Sequence, residues 1–184
     1  ARLAGLNSVY VSHPLGYRLL FFEWGLAFLY RVSLAETASR SVLIDRTSGV
    51  GRTGLICRVS LGEETATFIN VHFDHDRKET QMENVLKLLE QWPPPVCLLG
   101  DFNLVPDDVL LQPLQEFVAD SCLLVDSSLS REARDAGTLL TKVSRRDYIW
   151  VDRNKFTVRE AGLLAEPHRM ISDHVGYWTD IDLN

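Results

Sequence analysis

Val96-Cys97-Leu98-Leu99-Gly100-Asp101-Phe102-Asn103 is the stretch on which the reading of this chain turns. Four apolar residues follow Pro93-Pro94-Pro95, which predicts a short buried strand, Val96–Asp101, entered from a rigid extended segment. The apolar run stops at Gly100, and an acid and an amide then flank Phe102. Side chains alternate along an extended chain, so Asp101 and Asn103 are expected on one side and Phe102 in the core. A carboxylate and an amide at a strand end lie where loops converge to make sites. A polar turn that merely closes the strand is the alternative, because Asp and Asn also favour turns.

Three other segments repeat the feature of an ionisable cluster at the edge of an apolar strand. They are Asn70-Val71-His72-Phe73-Asp74-His75, Arg146-Asp147-Tyr148-Ile149-Trp150-Val151 and Ser172-Asp173-His174. An adjacent Asp173 and His174 point to opposite sides if extended, so each can serve a different partner. Asp147 either pairs with its arginine neighbours or holds a histidine imidazole in one tautomer, as in His–carboxylate pairs. Asp74 or Asp76 is an equally good cap for the following helix. Oxygen-rich clusters without cysteine suit a hard cation such as Mg²⁺.

Around these segments, alternation and β-branched residues predict strands at Ser8–Val11, Gly25–Val32, Ser41–Asp45, Thr53–Leu61 and Thr65–Phe73. Further strands are expected at Tyr148–Asp152, Phe156–Glu160 and His174–Ile181. Leu61-Gly62-Glu63-Glu64 reads as a hairpin turn. A helix is expected over Arg77–Trp92, where Met82, Val85, Leu86 and Leu89 form an apolar stripe. A second is expected over Asp107–Phe117, opened by acids that suit its N-terminal dipole, and a shorter one over Ser130–Ala136. The fold class is therefore α/β (α+β), with sheets forming the core.

The bulk properties are compatible with one domain over residues 1–184. The chain has 184 residues, 46% hydrophobic and 24% charged, and carries a formal charge of −6. That charge argues against a protein that coats nucleic acid non-specifically, but not against a nuclease, since metal-holding carboxylates are themselves acidic. No apolar run reaches the roughly 18 residues of a membrane span, and ARLAGLNSVY lacks the pattern of a secretory leader. Three widely spaced cysteines, Cys57, Cys97 and Cys122, point to an intracellular, reducing setting, taken as cytoplasmic.

In order along the chain, these segments resemble the endonuclease/exonuclease/phosphatase superfamily. GDFN at 100–103, RRDYIWV at 145–151 and SDH at 172–174 match three of its signatures, and NVHFDH at 70–75, with Arg77 and Gln81, looks like a fourth. WGLAFLYRVSL at 24–34 is similar to one of its strands. The resemblance implies a four-layer α/β sandwich of two packed, mostly antiparallel sheets and metal-dependent hydrolysis of phosphodiester or phosphomonoester bonds by an activated water. It implies that Asp101 orients or deprotonates the water, supported by Asn103, and that Asp147 holds the phosphate-contacting His174. It further implies that Asp173, with Asp101 and Asn103, holds Mg²⁺ (Mn²⁺ can substitute), and that His72 and Asn70 bind the phosphoryl oxygens.

Nucleic acid is the leading substrate class on this reading, with phospholipid or inositol phosphate second. Arg46, Arg52, Arg145, Arg146 and Arg153 are the basic residues available to flank a nucleic-acid site. The family's opening strands, one ending in a metal-binding glutamate, have no counterpart here, so the domain is expected to be N-terminally incomplete. Glu23 is a possible partner of His72, with a strand-edge glutamate as the plainer reading. If that glutamate is lacking in the natural chain, a weakly active or inactive domain that binds a phosphate ligand or a protein is the alternative. His13 and His168 read as loop residues, and Trp150 and Trp178 as core or rim.

Overall fold

A computed structural model describes residues 5–12, 25–31, 34–46, 51–164 and 172–184. His13, Glu23 and His168 lie outside these residues. The chain divides into two compact units, Ala1–Val96 and Cys97–Asn184.

In the first unit, β1 (Leu6–Ser12) pairs antiparallel with β2 (Gly25–Arg31). The strands β3 (Ala35–Asp45), β4 (Arg52–Leu61) and β5 (Glu64–His72) form an antiparallel meander. The tight β4–β5 connection uses Gly62 at φ 66°, the left-handed conformation a hairpin turn demands. Strand β4 is buried from Arg52 through Cys57, with Leu55, Ile56 and Cys57 in the core. Helix α1 (Lys78–Gln91) buries Met82, Val85, Leu88 and Leu89, so Leu88 takes the covered place expected for Leu86. Asn84 fastens it to β3 by donating to the Ile44 carbonyl at 2.9 Å.

The start of α1 departs from expectation. Its N-cap is Arg77 at φ 60°, with no side-chain cap. Asp74 does not cap because its carboxylate is taken by Arg52 at 3.0 Å and by the Asp76 amide at 3.3 Å. The fully buried Gln81 ties the loop instead, accepting from the Asp74 amide and donating to the Asp76 carbonyl, each at 2.8 Å.

In the second unit, β6 (Val96–Asp101) and β8 (Asp147–Val151) pair antiparallel, and the two-residue β7 (Ala119–Asp120) adds to the other side of β8. Strands β9 (Phe156–Leu163) and β10 (Tyr177–Leu183) form a separate antiparallel pair. The segment expected as a second α-helix is a 3₁₀ helix, Val109–Glu116, capped by Asp108 and containing Pro113, which removes an amide donor that a longer α-helix would need. A four-residue α2 (Ser121–Leu124) was not legible, whereas α3 (Ser128–Ala136) begins two residues before the expected start at Ser130. A reciprocal box between Ser127 and Ser130 sets that start. The core holds Leu98, Phe102, Leu104, Leu114, Tyr148, Trp150 and Val151. Among the described residues, no helix is long and apolar enough to cross a membrane.

Candidate active site

The register of β6 against β8 sets Asp101 directly opposite Asp147. Two carboxylates facing one another across an antiparallel pair repel, so this register needs a cation or a proton donor between them. His174 supplies one. Its Nδ1 lies 2.7 Å from the Asp147 carboxylate, and its Nε2 lies 3.9 Å from that of Asp101. The three ligand-type atoms fall within 4.8 Å of one another. All three side chains are partly buried, with about a quarter or less of each exposed.

Burial, the largest single influence on His174, lowers its pKa. The hydrogen bond that His174 donates to Asp147 and the charges of Asp147, Asp101 and Asp173 outweigh it, and the imidazole titrates above the ordinary histidine value. The Asp147 contact fixes a tautomer with the proton on Nδ1 and leaves Nε2 directed at the Asp101 side.

The GDFN segment does not stay extended as expected. Strand β6 ends at Asp101, and Asn103 takes φ 52°, in the left-handed region that Asn tolerates. The turn closes when the Asp101 carboxylate accepts from the Asn103 amide at 2.8 Å. Phe102 is fully buried, as alternation predicts, and meets the Tyr148 ring edge-on at 5.6 Å. The Arg146 guanidinium donates to the Asn103 carbonyl at 2.9 Å and anchors the far side of the turn.

The arginine neighbours of Asp147 are engaged elsewhere. Arg145 forms a buried ion pair with Asp120 and lies 4.5 Å over the Tyr148 ring. Leaving either partner of such a pair buried alone costs roughly 3–5 kcal/mol. Arg153 donates to the Gln115 carbonyl at 2.7 Å and Arg52 pairs with Asp74, whereas Arg46 is exposed. Four of the five arginines considered for nucleic acid therefore already serve internal partners.

His174 lies outside β10, in a single antiparallel bridge with Leu139. Its amide donates to the Ser172 hydroxyl at 3.0 Å. Asp173 is exposed, and its carbonyl accepts from the Leu140 amide at 2.9 Å. His72 and Asn70 belong to the first unit, where the Asn70 amide donates to the Ala27 carbonyl at 3.3 Å. Sequence reasoning missed Thr138, a fully buried residue whose hydroxyl accepts from the Arg146 and Asp147 amides at 2.9 and 3.1 Å. A Gly-Thr pair nine positions before an acid carries no recognisable signal by itself. Beside the cluster opens a cavity of about 400 Å³, lined by Asp147 and His174 together with apolar residues such as Leu99, Ile149 and Val175.

Asp101 and Asp147 at strand ends, with His174 beside them, form a carboxylate–imidazole–carboxylate cluster in an α/β fold. The chain belongs to the Endonuclease/Exonuclease/phosphatase family, whose family model matches residues 6–174. Solved structures share the fold. The human Nocturnin catalytic domain is 17% identical over 100% of this chain and 74% of its own, with TM-score 0.81. A Bacteroides thetaiotaomicron mannosyl-6-phosphatase is 18% identical over 97% of this chain and 77% of its own, with TM-score 0.77. D. rerio TDP2, solved with a single-stranded DNA product, is 16% identical over 98% of this chain and 78% of its own, with TM-score 0.73. Among curated proteins, none matches this sequence. The fold is thus the α/β sandwich of this family, in agreement with the reading of the sequence.

Proposed function

We propose that this chain is a Mg²⁺-dependent phosphoesterase that hydrolyses phosphodiester bonds through an activated water, with nucleic acid as the leading substrate class. The observation that supports it most is the opposition of Asp101 and Asp147 across two strands with His174 between them. The donor set fits a hard divalent cation: the cluster offers carboxylate oxygens and one imidazole, and the three cysteines are buried thiols. Asp101, with Asp173 and Asn103, would hold Mg²⁺ or Mn²⁺, because the near oxygen of Asp147 is committed to His174. A cation bound there would neutralise charge on the phosphoryl oxygens.

The side chains divide the remaining work. Asp101 accepts the proton of the attacking water and orients it, with Asn103 supporting the water and the phosphate. His174 donates from Nε2 to a phosphoryl oxygen, and Asp147 stabilises the positive charge that its ring carries. For His72 and Asn70, in the first unit, the sequence resemblance suggests a phosphate-binding role. The neighbour that holds a DNA product favours nucleic acid, and the mannosyl-6-phosphatase makes sugar phosphates the second class to try. Buried free thiols accord with an intracellular location.

The test is hydrolysis of bis(p-nitrophenyl) phosphate and of a labelled DNA strand with Mg²⁺, with Mn²⁺ and in excess chelator. Turnover that needs the metal and stops with chelator is expected. Full activity in chelator would overturn the metal dependence, and no turnover with either metal would favour a phosphate-binding domain without catalysis.

A further inference from the structure

Thr138 joins the two halves of the His–Asp pair, and we propose that it is a positioning residue for the phosphoester chemistry. The inference rests on the function proposed above and adds a residue that the sequence motifs omit. Asp147 and His174 stand 27 positions apart, and nothing in either local segment brings them to 2.7 Å. The short run Thr138–Leu140 touches both. The Thr138 hydroxyl accepts from the Asp147 amide at 3.1 Å and the Arg146 amide at 2.9 Å, which sets the backbone from which the Asp147 carboxylate projects. The Thr138 carbonyl accepts from the Val175 amide at 2.8 Å, one residue beyond His174. Leu139 bridges His174 itself, and the Leu140 amide donates to the Asp173 carbonyl at 2.9 Å. One residue therefore holds the strand carrying the base of the pair with its hydroxyl and the segment carrying the imidazole with its carbonyl.

The local chain is shaped for this. Gly137 has φ 72°, and a Cβ there would lie 2.4 Å from the Ser144 carbonyl carbon, so the backbones of residues 137 and 144 can approach closely only with glycine. The Thr138 and Leu139 amides then both donate to the Ser144 carbonyl, at 3.2 and 2.9 Å, and close a tight loop that turns the Thr138 side chain toward β8. Thr138 is fully buried, so no solvent competes for its hydroxyl. Both acceptor positions of that oxygen are filled by the Arg146 and Asp147 amides. Substitution by valine keeps the shape and removes the acceptor, leaving two half-buried N–H groups without it. The Asp147 backbone can then shift by a fraction of an ångström, and misplacement on the order of 1 Å away from the reacting atoms can cost about 100-fold in rate.

Thr138→Val should lower kcat for bis(p-nitrophenyl) phosphate with Mg²⁺ by roughly 10- to 100-fold while KM moves less than about twofold. Thr138→Ser, which retains the hydroxyl, should restore most of the rate. Thr138→Val combined with Asp147→Asn should lose little more than Asp147→Asn alone, since both act through one contact. Wild-type kcat in a folded Thr138→Val protein, or an equal loss in Thr138→Ser, would overturn the proposal. If Thr138→Val does not fold, the rate of the serine variant decides by that same criterion. If the wild-type protein turns over no phosphoester, the function proposed above fails while this inference is still decided by NMR. The imidazole Nδ1 proton bonded to Asp147 should then be seen in wild type and Thr138→Ser but be lost in Thr138→Val, and its survival in the valine variant would refute the role.

Discussion

Replacing Asp147 with asparagine removes one charge, keeps the shape, and so isolates what the carboxylate does for His174. The contact is 2.7 Å between side chains that are 24% and 26% exposed. Two unit charges near 4 Å interact by about 1 kcal/mol in water and about 4 kcal/mol near a protein surface. A contact that is shorter but partly open to solvent belongs toward the upper part of that range, about 2–4 kcal/mol of support for a positively charged ring. If that ring faces the phosphoryl group in the transition state, kcat should fall roughly 30- to 1,000-fold with KM little changed. Stability should respond far less. The lost charged hydrogen bond is worth about 1.5–3 kcal/mol, but deleting one of two opposed carboxylates relieves about 0.2–1 kcal/mol of repulsion. The net cost should be about 1–2 kcal/mol. Steady-state hydrolysis of bis(p-nitrophenyl) phosphate with Mg²⁺, beside thermal melting of the same preparations, separates the two effects. A variant that keeps its rate within threefold of wild type while melting early would make Asp147 a structural residue, and the assignment of His174 would lose its physical basis.

Phe102→Ala should do the reverse. The ring is fully buried against Tyr148, so truncation should cost about 3–5 kcal/mol of stability, read by chemical denaturation; a loss below about 1 kcal/mol would contradict core placement. The pH dependence of stability should carry the signature of His174. Its pKa is raised in the fold, with burial opposing and the Asp147 bond and neighbouring acids prevailing, so the native state holds this proton more tightly than the unfolded chain. The resulting stabilisation is fully present below the unfolded value of about 6.5 and fades as pH rises through the folded value. In metal-free buffer, the difference in Tm between wild type and His174→Gln should shrink over that window, and a difference that grows with pH would contradict the sign.

How much of this was legible beforehand can be argued residue by residue. The strand Val96–Asp101 was readable to the residue because a proline run on one side and a polar pair on the other bound four apolar positions. The burial of Phe102 followed from period-two alternation alone, and Trp150, read as core or rim, is in the core. The conformation of Asn103 did not, because a left-handed residue closed by the Asp101 carboxylate competes with extension on equal terms in a short polar segment. The cap of α1 differed for a similar reason: Asp74, one of the two acids offered as a cap, is taken by Arg52, which is distant in sequence.

The sequence by itself determined the residue types of the site, their order, and the strand ends that carry them, because these depend on local polarity and periodicity. Whether Asp147 paired with an adjacent arginine or with a histidine could not be read that way. Tertiary structure decided it by burying Arg145 against Asp120 and setting Asp101 opposite Asp147 in the β6–β8 register. It also bent Thr138–Leu140 back to hold both partners. Pairing across 27 positions is chosen by which strands align and which charges are left without other partners, and that is a property of the packed chain, not of any segment within it.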